Sequence, residues 1–132
     1  MHNTDISTLI TTINRLRDEK GCPWDRKQTT RSLAKYVKAE TKELIEAIEN
    51  QDAENTCEEL GDVFYLILML SSIGEDAGKF TFADVVQGIN EKLIRRHPHV
   101  FAGTPWESEE DLARQWEEIK AMEKSAKQKN KV

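Results

Sequence analysis

The stretch SLAKYVKAETKELIEAIENQDAENTCEELGDVFYLILMLSS, Ser32 to Ser72, reads as two helices joined by a short polar turn. Apolar residues in its first half recur as Leu33, Tyr36, Val37, Leu44, Ala47 and Ile48, the i, i+3, i+4 spacing of one helical face. The turn, Gln51 to Glu54, is short enough to fold the second helix back antiparallel on the first. Each helix carries a pair of acids spaced i, i+3, Glu40 with Glu43 and Glu59 with Asp62. That spacing sets both members of a pair on one face, about a turn apart.

The position of these acids matters more than their number. Glu40 falls inside the apolar stripe of the first helix. On the second helix the row Glu59, Asp62, Leu66, Met69, Ile73 begins acidic and continues apolar. Acids at core positions lose hydration and need a partner. If the two pairs meet across the hairpin, four carboxylates repel one another unless a cation sits among them. Ligands that are all oxygen suit a hard divalent ion, Mg²⁺ first and Mn²⁺ as a substitute. Glu46, Glu49 and Glu58 lie off these rows and read as a solvated face.

Composition bounds the function classes. The chain has 132 residues, a formal net charge of −5 and 38% hydrophobic residues. One domain over residues 1–123 is expected, followed by a flexible lysine-rich tail at 124–132. There is no basic excess of the sort a duplex nucleic-acid binder needs. Cys22 and Cys57 have neither disulfide-framework nor metal-knuckle spacing. No signal peptide opens the sequence and no apolar run is long enough for a bilayer. The expectation is a cytoplasmic protein with no membrane partner.

Outside the hairpin, Ile6, Leu9, Ile10, Ile13 and Leu16 mark a helix over Thr4 to Glu19, capped by Thr4 or Asp5. Gly21 and Pro23 open a loop from Lys20 to Thr30. Trp24 in that loop either plugs the core or stacks on a nucleobase. Ser32 is the expected cap of the first hairpin helix, which runs to about Asn50. The second, Ala53 to Ser72, is apolar nearly all round at its centre, Val63 to Leu70. Such a helix must be covered on every side, which favours self-association, most simply as a two-fold dimer.

Gly74 and Gly78 flank a polar link, after which Phe82, Val85, Val86, Ile89 and Leu93 form a stripe opened by Thr81 and Asp84. That helix ends in Lys92, Arg95 and Arg96. Cations there either complement the helix dipole or clamp phosphate oxygens, Arg as a planar fork and Lys as a point charge. His97 and His99 flank Pro98 in the following turn. A last helix starts at Ser108 and Asp111, with Leu112, Trp116, Ile119 and Met122 on one face. Trp116 reads as a packing anchor or, more sharply, a base-stacking platform. Five helices and no strand give an all-α fold: a helical bundle built on the antiparallel hairpin and completed by dimerisation.

The run Gly21-Cys22-Pro23-Trp24-Asp25, with Gln28-Thr29 and Ser32-Leu33 after it, resembles the opening of a MazG-type nucleotide pyrophosphohydrolase domain. The acidic hairpin is similar to that family's EExxE and ExxD pattern. The run from Asn90 to Phe101, and Trp116 followed by Glu117 and Lys120, match as well. The resemblance implies an all-α enzyme, active as a dimer or a dimer of dimers. It implies Mg²⁺-dependent cleavage of nucleoside triphosphates between the α and β phosphates, giving a nucleoside monophosphate and pyrophosphate. The implied metal ligands are Glu40, Glu43, Glu59 and Asp62. Glu40 or Glu43 would help the attacking water lose its proton, and Lys92 would stabilise the leaving pyrophosphate. Lys92 and Arg96 are the implied phosphate contacts, and Trp116, with Trp24, the implied nucleoside contacts. One position departs: the first glutamate of the family's pair is Ala39 here. Two alternatives stand beside this reading. One is a nucleotide-binding or regulatory helical module with weak turnover; the other is an enzyme like the phosphoribosyl-ATP pyrophosphohydrolases.

Overall fold

In the computed structural model, residues 4–130 are described. Among them the regular elements are seven helices and no strand: α1 (Ile6–Arg17), α2 (Pro23–Lys27), α3 (Thr30–Glu49), α4 (Ala53–Asp76), α5 (Phe82–Arg96), α6 (Pro98–Phe101) and α7 (Glu109–Lys129). The all-α expectation holds. The two added helices, α2 and α6, are short turns that begin at Pro23 and Pro98, where proline's fixed φ suits the first helical position. No helix of the described residues is long and apolar enough to cross a membrane.

Backbone contacts divide the chain into two units, Met1–Phe82 and Ala83–Val132. In the first, local chemistry sets where each helix starts. Asp5 caps α1 by accepting from the Thr8 amide at 2.9 Å. Thr29, not Ser32, is the N-cap of α3. The Ser32 amide donates to Thr29 Oγ1 at 3.0 Å, and the Thr29 amide donates back to Ser32 Oγ at 2.8 Å. Ser32 therefore serves as the third residue of a capping box rather than as the cap. Asp52 caps α4 through the Asn55 amide at 3.1 Å. Between α3 and α4 the chain turns through Gln51, whose φ is 55°.

The second hairpin helix is longer than the expected end at Ser72. α4 runs on to Asp76, and Gly74 lies buried inside it rather than beside a link. A Cβ at Gly74 would come within 2.5 Å of the Phe80 ring, so the glycine admits that ring against the helix. Termination is left to Gly78, with φ 68°, whose amide donates to the Glu75 carbonyl at 2.9 Å while Lys79 donates to Gly74 at 3.0 Å.

α3 and α4 pack along one another, with α1 against α4 and α2 against α1. The core of this unit is Ile13 of α1, Leu33 of α3, and Leu66, Leu68 and Met69 of α4, with Trp24, Tyr36 and Tyr65 packed at its margin. Ile48, expected on the buried stripe, is exposed, as are Ile45, Leu60 and Ile67. At α1's end Arg17 donates to the Ser72 hydroxyl and pairs with Asp76 at 2.9 Å.

In the second unit, α5 and α7 are tied by polar contacts. Glu123 accepts from Arg95 at 2.5 Å and from Arg96 at 2.7 Å. Gln115 donates to the Pro105 carbonyl at 3.3 Å. Ser108 caps α7 as expected, accepting from the Asp111 amide at 3.2 Å. The lysine-rich end, expected as a tail from Lys124, is helical to Lys129. Alanine and lysine are good helix formers, and cations in a last turn suit the dipole. Residues 131 and 132 lie outside the described residues.

Leu33 is wholly buried at the centre of the first unit. Leu33→Ala should therefore destabilise the chain by about 3 kcal/mol, read as a lower urea midpoint with the slope unchanged.

Candidate functional site

Three of the four proposed ligands converge. One carboxylate oxygen each from Glu40, Glu43 and Glu59 lie within 4.8 Å of one another. The i, i+3 spacing on α3 sets Glu40 and Glu43 on one side of that helix, and the packing of α4 brings Glu59 to meet them. Glu59 is buried, at 9% exposure, Glu40 is half-buried, and Glu43 is exposed. Asp62 is not within the tight group, but its charge acts on both Glu40 and Glu59. It also lines a cavity of about 200 Å³ with Trp24, Tyr36, Glu40, Tyr65 and Leu66.

The electrostatics of this cluster are those of anions without a counterion. Burial pushes Glu59 up to about 7, helped by the charges of Glu43, Asp62 and Glu40. Burial also raises Glu40, followed by the charge of Glu43. Oε2 of Glu40 and Oε2 of Glu59 are both buried with no hydrogen-bond partner. Native structures rarely leave such atoms unmatched, and an ion is one of the ordinary explanations. The donor set fits a hard divalent cation: oxygens only, several formal negative charges, and lone pairs left over.

Trp24 meets Tyr36 edge-on, with ring centroids 5.3 Å apart, and together they form the aromatic side of the cavity. Next to Trp24, Asp25 is buried at 5% exposure and accepts a hydrogen bond from the Tyr65 hydroxyl. Burial first, then that bond, raises the Tyr65 phenol well above its usual range, so it remains a donor. Tyr36, Asp25 and Tyr65 were not picked out from sequence as site residues. Their signals were faint: Tyr36 one turn before Glu40, Tyr65 three residues after Asp62, and a carboxylate directly following Trp24.

The remaining candidates, Lys92, Arg96 and Trp116, belong to the second unit. Arg96 and Trp116 are brought together, the guanidinium 5.1 Å from the indole centroid. Arg96 is also engaged by Glu123, whose carboxyl is drawn down to about 2 by Arg96 and then Arg95. Glu123 was missed because it lies two turns beyond Trp116, where it reads as one charge among many. Lys92 stands one turn before Arg96 and makes no ion pair among the described residues. His97 packs edge-on against Trp116 at 5.3 Å and is within 2.6 Å, Nδ1 to oxygen, of the Leu93 carbonyl, so it is a packing residue of its turn.

Residues 28–101 match the MazG nucleotide pyrophosphohydrolase domain. The chain belongs to that family. Over 124 residues it is 45% identical to the nucleoside triphosphate pyrophosphohydrolase/pyrophosphatase MazG of Thermotoga maritima, covering 94% of this chain and 47% of that protein. It is 40% identical to the nucleoside triphosphate pyrophosphohydrolase of Escherichia coli K12 over 123 residues, covering 92% of this chain and 47% of the relative. It is 48% identical over 121 residues to YabN of Bacillus subtilis, covering 92% of this chain and 25% of YabN. The chain thus spans a quarter to about half the length of these curated relatives. The crystal structure of a MazG-related protein from Thermotoga maritima superposes with a TM-score of 0.72 at 29% identity, covering 88% of this chain and 99% of that one. The all-α MazG architecture is therefore shared, and the acid cluster lies on helices α3 and α4 of this domain.

Because Glu59 is raised, the metal-free folded state holds a proton that the unfolded chain releases at lower pH. The stability linked to Glu59 is full below its ordinary range of about 4.5 and is lost as pH rises through about 7. A ligand bound only by the native state offsets that loss. In EDTA the melting temperature should fall between pH 5 and pH 8; millimolar Mg²⁺ should raise it more at pH 8 than at pH 5. A Mg²⁺ response that is equal at both pH values contradicts a site built on Glu59.

Proposed function

We propose that this MazG domain hydrolyses nucleoside triphosphates, ribo- or deoxyribo-, to the monophosphate and pyrophosphate in a Mg²⁺-dependent reaction, with Mn²⁺ as a substitute. The observation that carries this reading is the meeting of Glu40, Glu43 and Glu59 with two buried, unpartnered oxygens, next to a cavity with an aromatic side. Supporting it, relatives at 40–45% identity are named nucleoside triphosphate pyrophosphohydrolases.

Glu40, Glu43, Glu59 and Asp62 would hold the ion on the proposed hairpin of α3 and α4. Bound there, a divalent cation supplies neutralisation of phosphate charge and a more acidic water. The overall step joins a water oxygen to phosphorus at the α–β anhydride and breaks the bond to the bridging oxygen. The water's proton passes to a carboxylate, for which Glu40 or Glu43 is the candidate base. Lys92 takes the role of stabilising charge on the leaving pyrophosphate. Arg96 already grips an oxyanion, the Glu123 carboxylate, which is the chemistry a phosphate oxygen would meet. Trp24 and Trp116 are the proposed nucleoside contacts, offering flat faces that any base can stack upon.

Ala39 supports a second reading, a module that binds nucleotide with little turnover. One experiment separates the two. A panel of NTPs and dNTPs is incubated with and without Mg²⁺, and pyrophosphate is measured. Hydrolysis is expected with Mg²⁺ only, and Glu43→Ala should lower kcat/KM by about 100-fold. Tight nucleotide binding with pyrophosphate release no higher than in Glu43→Ala selects the binding module.

Two copies are proposed to associate through the apolar surface left open by one chain, as a dimer or a dimer of dimers. Leu60 and Ile67 on α4 are exposed, and so are Val85, Val86, Ile89 and Leu93 on α5. Apolar residues exposed along one face of a helix, as on each of these helices taken by itself, mark association surfaces. Sedimentation equilibrium should return a multiple of the 15.2 kDa chain mass. A monomer at micromolar concentration contradicts the assembly.

A further inference from the structure

We propose that Asp25 and Tyr65 are positioning residues: their hydrogen bond, made on a buried carboxylate, fixes Trp24 against the cavity beside the acid cluster. This inference rests on the reading of that cavity as the substrate site.

The argument begins with α2, which has only five residues, Pro23–Lys27. A helix that short does not persist by its own hydrogen bonds. Its N-cap, Cys22, provides no side-chain cap bond. Other contacts must therefore set its orientation. At the C-terminal end Gln28 donates to the Trp24 carbonyl at 2.9 Å, and Ser32 of α3 donates to Gln28 Oε1 at 2.7 Å. At its middle, Asp25 accepts from the Tyr65 hydroxyl of α4, forty positions along the chain. Trp24 and Asp25 are adjacent, so their side chains leave α2 about 100° apart, at 3.6 residues per turn. Anchoring Asp25 to Tyr65 fixes the rotation of α2. With that rotation fixed, Trp24 is directed to Tyr36 and into the cavity it shares with Glu40 and Asp62.

The pair is also costly unless it serves a purpose of this kind. Asp25 is among the few buried polar residues of the unit. A buried carboxylate loses hydration and is retained where its partner is fixed. Tyr65 touches two things at once, Asp25 through its hydroxyl and the cavity through its position in the lining. It thereby couples α2, which bears Trp24, to α4, which bears Glu59 and Asp62.

The test has two arms. In the first, Trp106→Phe and Trp116→Phe leave Trp24 as the single indole of the chain, which has three tryptophans. Adding Tyr65→Phe to that background should shift Trp24 emission to the red and increase its quenching by acrylamide. Adding Asp25→Asn should not, because an amide oxygen still accepts from the tyrosine. In the second arm, with all tryptophans present, Tyr65→Phe should raise KM for a nucleoside triphosphate roughly fivefold, the factor a single hydrogen bond controls. Its kcat should stay within about twofold; Asp25→Ala should raise KM likewise, and Asp25→Asn, which keeps an acceptor oxygen, should raise it far less. Should Tyr65→Phe fail to fold, Asp25→Ala removes the acceptor instead of the donor and is expected to give the same emission shift. Unchanged Trp24 emission in a folded Tyr65→Phe or Asp25→Ala variant overturns the proposal, as does a fall in kcat with KM unaltered. If the unaltered chain releases no pyrophosphate, the functional reading fails instead, and the emission arm still decides whether Asp25 and Tyr65 position Trp24.

Discussion

Carboxylates held close together, out of reach of most water, repel one another, and the first unit is arranged around that repulsion. Glu40 and Glu59 sit in the seam between α3 and α4, and both titrate above the ordinary carboxylate range. Burial is the largest cause for both, followed by the charge of Glu43. What keeps them there is the apolar packing alongside: Leu33 on α3 and Leu66 and Met69 on α4 are buried within a few turns of the acids. Helix phase matters as much as attraction. The Thr29–Ser32 box and the Asp52 cap fix where α3 and α4 begin, and hence which residues face each other. A hydrophobic seam thus holds in place a cluster that, without a cation, would favour its own separation.

The second unit follows the opposite rule. There the half-buried charge is paired. Glu123 is gripped by Arg95 and Arg96, and its carboxyl is drawn down rather than pushed up. Arg96 then lies over Trp116, so an aromatic face, a guanidinium and an acid form one satisfied stack. The contrast is informative about role. In the second unit the Glu123 oxygens are matched by arginines, whereas Oε2 of Glu40 and Oε2 of Glu59 are buried without a hydrogen-bond partner.

Much of the first unit was legible in sequence because two periodicities coincided. The apolar spacing predicted the helices, and acids interrupting that spacing predicted the seam. Leu33, Ala47, Leu66 and Met69 are buried where the pattern puts them. The pattern misled at Ile48, which is exposed, since periodicity states which face is apolar and not whether that face is covered. Boundaries were less legible. Gly74, expected to flank a link, lies within a continuing helix, where its missing Cβ admits Phe80. Ser32 was read as a cap because three-residue offsets make the two ends of a capping box look alike. Of the candidate site, Glu40 and Glu59 stood out in the sequence because each occupies a row that is otherwise apolar. Asp25 and Tyr65 did not: an acid in a polar loop and a tyrosine in an apolar helix interrupt no pattern. Only the fold, by bringing together residues forty positions apart, gives them meaning.

Ala39 marks the point at which family pattern and local physics ask different questions. It is exposed on α3, beside Glu40 in sequence and so about 100° from it around the helix. The close group of Glu40, Glu43 and Glu59 forms without it. A further carboxylate nearby would add to the repulsion that already raises Glu40 and Glu59. Replacing it by alanine therefore removes a possible proton acceptor while easing the electrostatic load on the rest. On the proposed reading, capacity to hold a cation and capacity to activate water are separable here. The first depends on the oxygens buried between α3 and α4, and the second falls to whichever of Glu40 or Glu43 is less committed to the ion. Glu43 is exposed where Glu40 is half-buried, so it is the more accessible of the two to a water from solvent.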